Sequence, residues 1–178
     1  MSNTNGFTLI ELLVVLAIIS VMSSIVFADF SNSEGKLALK RAAYQVAQDI
    51  RETEEMVLSS AAEVTCDGNK KICGYGLEFN ATQSPTSYFM FLDCDNNCAN
   101  SNYQRDGNDK DIRRANLEKG IQIHQLSPSP LNIVFRAPDP TVWINKADWG
   151  VEAIITLQSP QNETRAVKVN SVGRVELQ

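Results

Sequence analysis

An uninterrupted apolar segment near the N-terminus constrains this chain more than any other feature of its sequence. Residues 7–28, FTLIELLVVLAIISVMSSIVFA, contain Glu11 as their one ionisable side chain. Coiled into an α-helix, such a segment is about 33 Å long, which is enough to cross the ~30 Å hydrocarbon layer of a bilayer. The other residues have the mixed composition of a globular protein. The sequence therefore predicts a membrane-spanning helix followed by one globular domain.

Two other interpretations of residues 7–28 fit less well. A cleavable secretory signal has a positive n-region and an apolar stretch of about 7–15 residues. Residues 1–6 contain no Lys or Arg, and the apolar run here is longer. A buried helix so uniformly apolar is uncommon in a soluble domain of this size. Within a membrane, Glu11 costs roughly 2–3 kcal/mol toward the bilayer interior, so it predicts a functional role and a cationic partner.

The residues around Glu11 resemble the class III signal of type IV pilins and type II secretion pseudopilins. The matching run is Gly6-Phe7-Thr8-Leu9-Ile10-Glu11-Leu12-Leu13-Val14-Val15. The resemblance implies that residues 1–6 are a leader, that a prepilin peptidase cleaves between Gly6 and Phe7, and that Phe7 becomes N-methylated. It also implies that residues 7–28 are the transmembrane and assembly helix and that residues 29–178 are an exported pilin domain. The protein is then expected as a single-pass inner-membrane protein that joins a pilus or a periplasmic pseudopilus.

Cleavage before Phe7 would supply the cation that Glu11 needs. The new amine lies one helical turn from Glu11. In a bundle of staggered helices, the Glu11 carboxylate of one subunit can meet the Phe7 amine of its neighbour. Pairing offsets the desolvation of both charges and would set the axial step between subunits. The alternative is that Glu11 extends to the membrane interface or pairs with its own terminus.

After a polar segment at residues 29–35, where a kink or a helix restart is expected, helical periodicity returns over residues 36–62. The predicted packing face consists of Leu37, Tyr44, Ala47, Ile50, Val57, Leu58 and Ala61. The predicted outer face consists of Lys40, Arg41, Gln48, Asp49, Glu52 and Glu55. Alternating patterns then predict strands near residues 74–79, 88–92, 121–123, 131–135, 151–157, 164–169 and 175–177. The expected fold is α+β, a pilin-like long helix packed on antiparallel β-sheet.

Within the pilin class, residues 47–53, 64–66 and 168–175 resemble the GspH/FimT family of minor pilins and pseudopilins. This resemblance implies a structural subunit and not an enzyme, at the tip of the filament or in its initiation complex. Other pilins or pseudopilins and the prepilin peptidase are the expected partners.

The alternative function is a DNA-binding minor pilin of a competence pilus. Arg165, Lys168 and Arg174 are the candidate phosphate contacts. A formal net charge of -5 and the acidic Glu176 beside the last turn argue against nucleic acid as a partner.

Four cysteines occur as two close pairs. Export would place them in an oxidising compartment, where an even number is typical of disulfides. Three connectivities are possible. The local pairs, Cys66 with Cys73 and Cys94 with Cys98, are favoured because each closes a small polar loop. A four-cysteine zinc site is the alternative, and its ligand spacing and compartment are unfavourable.

Residues 93–114 are rich in Asp and Asn. Asp93, Asp95 and Asn97 could supply oxygen ligands to Ca²⁺, with Asp106 or Asp109 completing the shell. The spacing is not that of an EF-hand, and a solvated loop stiffened by a Cys94–Cys98 bond is the favoured interpretation. Apart from this calcium candidate, no cofactor is expected.

Overall fold

One long helix leads into two antiparallel sheets in the computed structural model. The structure describes residues 6–59, 65–136, 141–147 and 150–178, and it leaves out the side chains of residues 26–33 and 141. Helix α1 spans Leu9–Ser59, 51 residues, or about 76 Å of axial rise. The strands are β1 Lys71–Phe79, β2 Ser87–Asp95, β3 Lys110–Asn116, β4 Gln122–Ser127, β5 Leu131–Arg136, β6 Thr141–Ile144, β7 Ala153–Gln158, β8 Thr164–Val169 and β9 Val175–Leu177.

The strands divide between two sheets. Sheet A has five strands in the order β3-β2-β1-β5-β6, and sheet B has four in the order β4-β7-β8-β9. All of these pairings are antiparallel. One hydrophobic core joins α1 to both sheets. The predicted α+β class is confirmed, and the arrangement is consistent with a pilin-like fold.

Helix α1 continues through residues 29–35, so the predicted restart is wrong. Gly35 costs a helix about 1 kcal/mol relative to Ala, and Ser and Asn cost a few tenths each. These penalties are smaller than the gain from continuous hydrogen bonding and from packing that begins at Leu39. The helix ends at Ser59, and the predicted end near residue 62 lies outside the described residues, as does Ala61.

The buried face of α1 is only partly the predicted one. Ala47, Ile50 and Val57 are buried as predicted, but Leu37, Tyr44 and Leu58 are 52%, 54% and 59% exposed. The side chains that face the sheets are Leu39, Ala42, Ala43, Val46, Ala47, Ile50, Thr53 and Val57. Alanines on this face let the helix approach the sheets closely, which larger side chains would prevent.

Asp49 lies on the buried face, although the sequence analysis placed it on the outer face. It is 7% exposed, and its carboxylate accepts a hydrogen bond from the Tyr88 hydroxyl. It also forms an ion pair with Arg113 at 3.1 Å, and Arg113 pairs with Glu52 at 3.0 Å. Burial, together with the Asp49 carboxylate, raises the pKa of Tyr88, so the hydroxyl remains a donor. These partners explain how an acid is accommodated between α1 and sheet A.

Sheet A is covered on both of its faces. Tyr75, Leu77 and Phe79 alternate toward α1 and are buried, as predicted. A second buried cluster contains Phe91, Tyr103 and Val134, with Trp143 packed against it. Gly76 makes room for this cluster, because a Cβ at that position would lie 2.5 Å from the Phe91 ring. The loop between β2 and β3, which carries Tyr103, therefore belongs to the packed structure.

We predict that Asp49→Ala lowers the free energy of unfolding by about 2–3 kcal/mol, since it leaves the buried Tyr88 hydroxyl without its acceptor and removes one carboxylate from Arg113. Denaturant titration of the full-length protein in detergent micelles, followed by near-UV circular dichroism, measures the change. Gln48→Ala, at the exposed neighbouring position, is the matched control and should change stability by less than about 0.5 kcal/mol. Equal effects of the two substitutions would contradict the stabilising role of the hydrogen bond and ion pair that Asp49 forms with Tyr88 and Arg113.

Candidate functional site

The predicted cleavage site lies in an open part of the chain. Gly6, Phe7 and Thr8 precede α1 and belong to no helix or strand. Phe7 is 83% exposed, and a Cβ added at Gly6 would have no neighbouring atom within 4 Å. The Gly6–Phe7 peptide bond is therefore sterically accessible to a peptidase.

Thr8 caps the start of α1, a role that the sequence analysis missed. The Glu11 N–H donates to Thr8 Oγ1 at 3.3 Å, and the Leu12 N–H donates to the Thr8 carbonyl at 3.2 Å. Thr8 and Glu11 match the Ser/Thr-x-x-Glu capping-box pattern, which was the available signal. A carboxylate in this first turn also suits the positive end of the helix dipole.

The Glu11 side chain is exposed and has no intramolecular partner in the described part of the chain. Its backbone N–H bonds to Thr8, while its carboxylate takes part in no described hydrogen bond or ion pair. The neighbouring side chains Ile10 and Leu12 are apolar and are 70% and 58% exposed. The carboxylate is therefore available to a cation from another molecule.

Helix α1 presents apolar side chains in every direction before it reaches the sheets. From Leu9 to Ile25, every side chain is exposed except that of Ser23, which is half-buried. Ser20 and Ser24 each donate a hydroxyl hydrogen bond at 2.8 Å to the carbonyl four residues earlier, which satisfies these polar groups locally. A continuous exposed apolar surface of this length indicates an interaction with a membrane or with other proteins.

The predicted membrane span, residues 7–28, overlaps the beginning of α1. The structure does not describe the side chains of the last residues of this span, 26–28. Among the described residues, no helix is both long and apolar enough to qualify as a membrane span. The span stays a prediction.

The family comparison concerns this same N-terminal segment. Residues 1–27 match the family model of the prokaryotic N-terminal methylation motif. This motif is the hallmark of type IV pilin and pseudopilin family proteins. The chain carries this motif at its N-terminus. Comparisons with curated proteins and with solved structures find no match.

The motif has implications for how the chain is processed and what it does. It implies processing by prepilin peptidase and assembly with other pilin subunits. It also points to a structural subunit of pili or pseudopili and not to an enzyme. Its matched residues include the cleavage-site pair and Glu11.

Two disulfides stabilise the globular part of the chain, and the predicted local pairing is wrong. Cys66 bonds to Cys94 and Cys73 bonds to Cys98, with Cα separations of 5.8 and 5.0 Å. Ile72 lies opposite Cys94 in the β1–β2 pairing, so the start of β1 meets the end of β2. This antiparallel register brings each cysteine of the first pair to one of the second. Because none of the four is free, the zinc alternative is also wrong.

The five calcium candidates lie in and beside the loop between β2 and β3, where their oxygens accept hydrogen bonds. Both Asp93 oxygens accept from the Ser101 hydroxyl, at 2.8 and 2.6 Å. Asp109 accepts from the backbone N–H groups of Cys94 and Asp106. The other three candidates accept hydrogen bonds within the same loop: Asp95, Asn97 and Asp106. In the described chain, no three acidic, His or Cys side chains are grouped so that they could hold a metal ion.

The same loop is tied to sheet A and is not solvated along its whole length. Arg105 bonds to Glu78 at 2.9 Å and to Asp111 at 2.7 Å, and its guanidinium lies 4.2 Å from the centre of the Phe89 ring. The predicted loop also ends early, because β3 begins at Lys110. The sequence analysis missed strand β3 because most of its residues are charged and show no apolar alternation.

The three basic residues of the DNA-binding alternative do not form one patch. Arg165 and Lys168 are three residues apart in β8, so strand alternation places them on opposite faces of sheet B. Arg174 forms an ion pair with Glu176 at 2.9 Å, and Lys168 lies opposite the same glutamate in the β8–β9 pairing. Dispersed and partly neutralised charges are poorly suited to following a phosphate backbone.

We predict that peptide mapping without reduction recovers Cys66 joined to Cys94, and Cys73 joined to Cys98. Replacing either pair by serines should lower the free energy of unfolding by about 3–4 kcal/mol, because loops of 28 and 25 residues are released in the unfolded chain. Denaturant titration measures that loss. A peptide in which Cys66 is bonded to Cys73 would contradict the assignment.

Stability should also fall between about pH 4 and pH 6 because of Asp93. Burial raises the pKa of Asp93 from 3.8 to about 6. The folded state therefore holds the proton more tightly than the unfolded chain, and this stabilisation, complete below pH 4, is lost as the pH rises through 6. The expected difference is on the order of 2 kcal/mol.

The variant Asp93→Asn should lack this part of the pH dependence. Denaturant titrations between pH 3.5 and pH 8 on both proteins measure it. Burial also raises the pKa of Asp109, so only the difference between the variant and the wild type is diagnostic. Parallel profiles for the two proteins would contradict the prediction.

Proposed function

We propose that this protein is a minor pilin or pseudopilin that assembles through α1 into a type IV pilus or a type II secretion pseudopilus. The observation that carries the proposal is the unpartnered Glu11 carboxylate, four residues after Phe7, on a helix that is apolar all round. We place the subunit in the inner membrane with residues 29–178 exported, and in the tip or the initiation complex after assembly. The resemblance of residues 47–53 and 168–175 to GspH/FimT proteins supports the minor role.

Cleavage changes the electrostatic situation of Glu11. Before cleavage, the nitrogen of Phe7 is an uncharged amide, and the carboxylate of Glu11 forms no ion pair with a described residue. Hydrolysis of the Gly6–Phe7 bond produces an amine that is protonated at neutral pH, and N-methylation preserves its charge. An acid that is costly in lipid thereby acquires a potential partner.

The partner amine of a neighbouring subunit is favoured over the subunit's own amine. A pair formed between two helices is surrounded by protein on both sides, where its attraction is less screened than at an exposed surface. A pair within one helix remains open to lipid or water and leaves the apolar surface from Leu9 to Ile25 uncovered. Assembly through adjacent helices satisfies the charge and the apolar surface together.

We predict that Glu11→Ala and Glu11→Gln leave membrane insertion and Gly6–Phe7 cleavage unchanged while reducing incorporation into filaments roughly tenfold or more. The reduction follows from losing a charge pair worth more than about 1.4 kcal/mol. Membrane fractionation, intact mass and the amount of subunit in sheared filaments are the three measurements. Leu13→Ala, an exposed apolar substitution in the same segment, is the control and should have a small effect.

Two outcomes would count against the proposal. Wild-type incorporation of Glu11→Ala would eliminate the pairing mechanism. A mature protein whose intact mass still includes Met1 would remove the proposed cation and with it the assembly mechanism.

A further inference from the structure

The two disulfides cross each other in the sequence. The first cysteine of the chain bonds to the third and the second bonds to the fourth, because Cys66 pairs with Cys94 and Cys73 pairs with Cys98. The bonded cysteines are 28 and 25 residues apart. The cysteines within each close pair are only seven and four residues apart, and they are not bonded to each other. The folded chain therefore uses crossed pairs, although local pairs are nearer in the sequence.

The unfolded chain favours the local pairs. The probability that the two ends of a flexible loop meet falls roughly as the 3/2 power of its length. The loops that Cys73 and Cys94 would close with Cys66 differ fourfold in length, so Cys66 meets Cys73 roughly eightfold more often than it meets Cys94. Gly68, with a φ of +70°, lies in a turn between Cys66 and Cys73, so this segment bends easily.

The order of export strengthens this preference. If residues 29–178 are exported as in the proposed function, Cys66 and Cys73 reach the oxidising compartment before Cys94 does. An oxidase that acts on the chain at that stage joins Cys66 to Cys73, since no other cysteine is present. Of the proposed function, only this export step is needed here.

The fold selects the crossed pairs and then makes them inaccessible. The register between β1 and β2 places Ile72 opposite Cys94 and brings the bonded cysteines to Cα separations of 5.8 and 5.0 Å, which suit a disulfide. Cys73 and Cys94 are then only 4% and 2% exposed. An external thiol must reach a sulfur atom to exchange with it. The local pairs therefore have to be rearranged before β1 and β2 are fully packed.

We propose that this chain is a substrate of a thiol–disulfide isomerase, which converts local pairs of the newly exported chain into the crossed pairs. The isomerase thiolate attacks Cys73, breaks the Cys66–Cys73 bond and releases the Cys66 thiolate. That thiolate attacks Cys94, forms the Cys66–Cys94 bond and releases the Cys98 thiolate. Attack of Cys98 on Cys73 then forms the last bond and frees the isomerase thiolate.

This rearrangement is redox-neutral. The chain has two disulfides before the three exchange steps and two after them, so the steps consume no oxidant. The two disulfides are made beforehand by a dithiol oxidase, which accepts two electrons for each bond. The oxidase and the isomerase thus have separable roles, and only the isomerase corrects the pairing.

The proposal is tested by mapping disulfides in a bacterial host with and without its periplasmic thiol–disulfide isomerase. The full-length protein is produced in both hosts, free thiols are alkylated at harvest, and peptide mapping without reduction quantifies Cys66–Cys94 against Cys66–Cys73. Without the isomerase, we expect the ratio of crossed to local bonds to fall at least fivefold. An unchanged ratio would overturn the proposal.

Variants that can form only one disulfide separate rearrangement from oxidation. The double variant Cys73→Ser, Cys98→Ser keeps only the first crossed pair, and the double variant Cys66→Ser, Cys94→Ser keeps only the second. Neither can form a local pair, so the yield of its disulfide should change less than twofold without the isomerase. The bond itself is measured, so a loss of stability does not obscure the result. A loss as large as in the wild type would overturn the proposal, because the defect would then be one of oxidation.

The exchange chemistry is measured on the purified full-length protein. The reduced chain is oxidised in denaturant, transferred to detergent micelles without denaturant, and incubated with a catalytic amount of reduced isomerase. We expect crossed bonds to form at least tenfold faster than with an isomerase whose active-site cysteine is replaced, with no net change in the free thiols of the chain. Equal rates would overturn the proposal.

The variant Glu11→Ala distinguishes this inference from the proposed assembly mechanism. Glu11 lies far from the cysteines in the sequence and takes no part in the exchange, so the variant should acquire the crossed bonds as the wild type does. If Glu11→Ala assembles normally, the pairing mechanism fails while the isomerase dependence stands. If the wild type forms crossed bonds equally well without the isomerase, only the present inference fails.

Discussion

The carboxylate of Glu11 on an exposed apolar helix is the constraint from which the architecture of this subunit follows. In the described structure, the carboxylate has no partner within its own chain, and the side chains around it have no protein surface to cover them. In the membrane placement that we propose, a charge in such a position is stabilised when a cation approaches it from another molecule. The globular part does not supply that cation, because its packing begins near Leu39. Our proposal therefore assigns the beginning of α1 an external partner.

The two halves of α1 are both helical but differ in which side chains they bury. The N-terminal half is apolar in every direction, whereas the C-terminal half buries a narrow face made of small residues such as Ala42, Ala43 and Ala47. Asp49 on that face is fully provided with partners by Tyr88 and Arg113. The globular part thus holds the C-terminal half of α1 by packing and one buried network, while Leu37, Tyr44 and Leu58 remain exposed.

How much the sequence predicts depends on whether the signal is local. The cleavage motif, the position of Glu11 and the strand around Leu77 are local patterns, and the family comparison or the structure supports the motif and the strand. The cysteine pairing was wrong because it depends on the register between β1 and β2, which neighbouring residues do not encode. Strand β3 was missed because its sequence, KDIRRAN, is charged and lies at the sheet edge, where charges discourage further pairing.

The buried face of α1 shows why hydrophobicity alone did not predict which of its side chains are buried. The sequence analysis placed Tyr44 and Leu58 on the packing face because they are apolar and recur near helical spacing, whereas the face that contacts the sheets is centred on Leu39, Val46 and Ile50. Large side chains such as Leu39 and Ile50 are buried on this helix, so the angular position around the helix, and not the size of the residue, decides burial. Exposed apolar and aromatic side chains such as those of Tyr44 and Leu58 are typical of a surface that contacts another molecule.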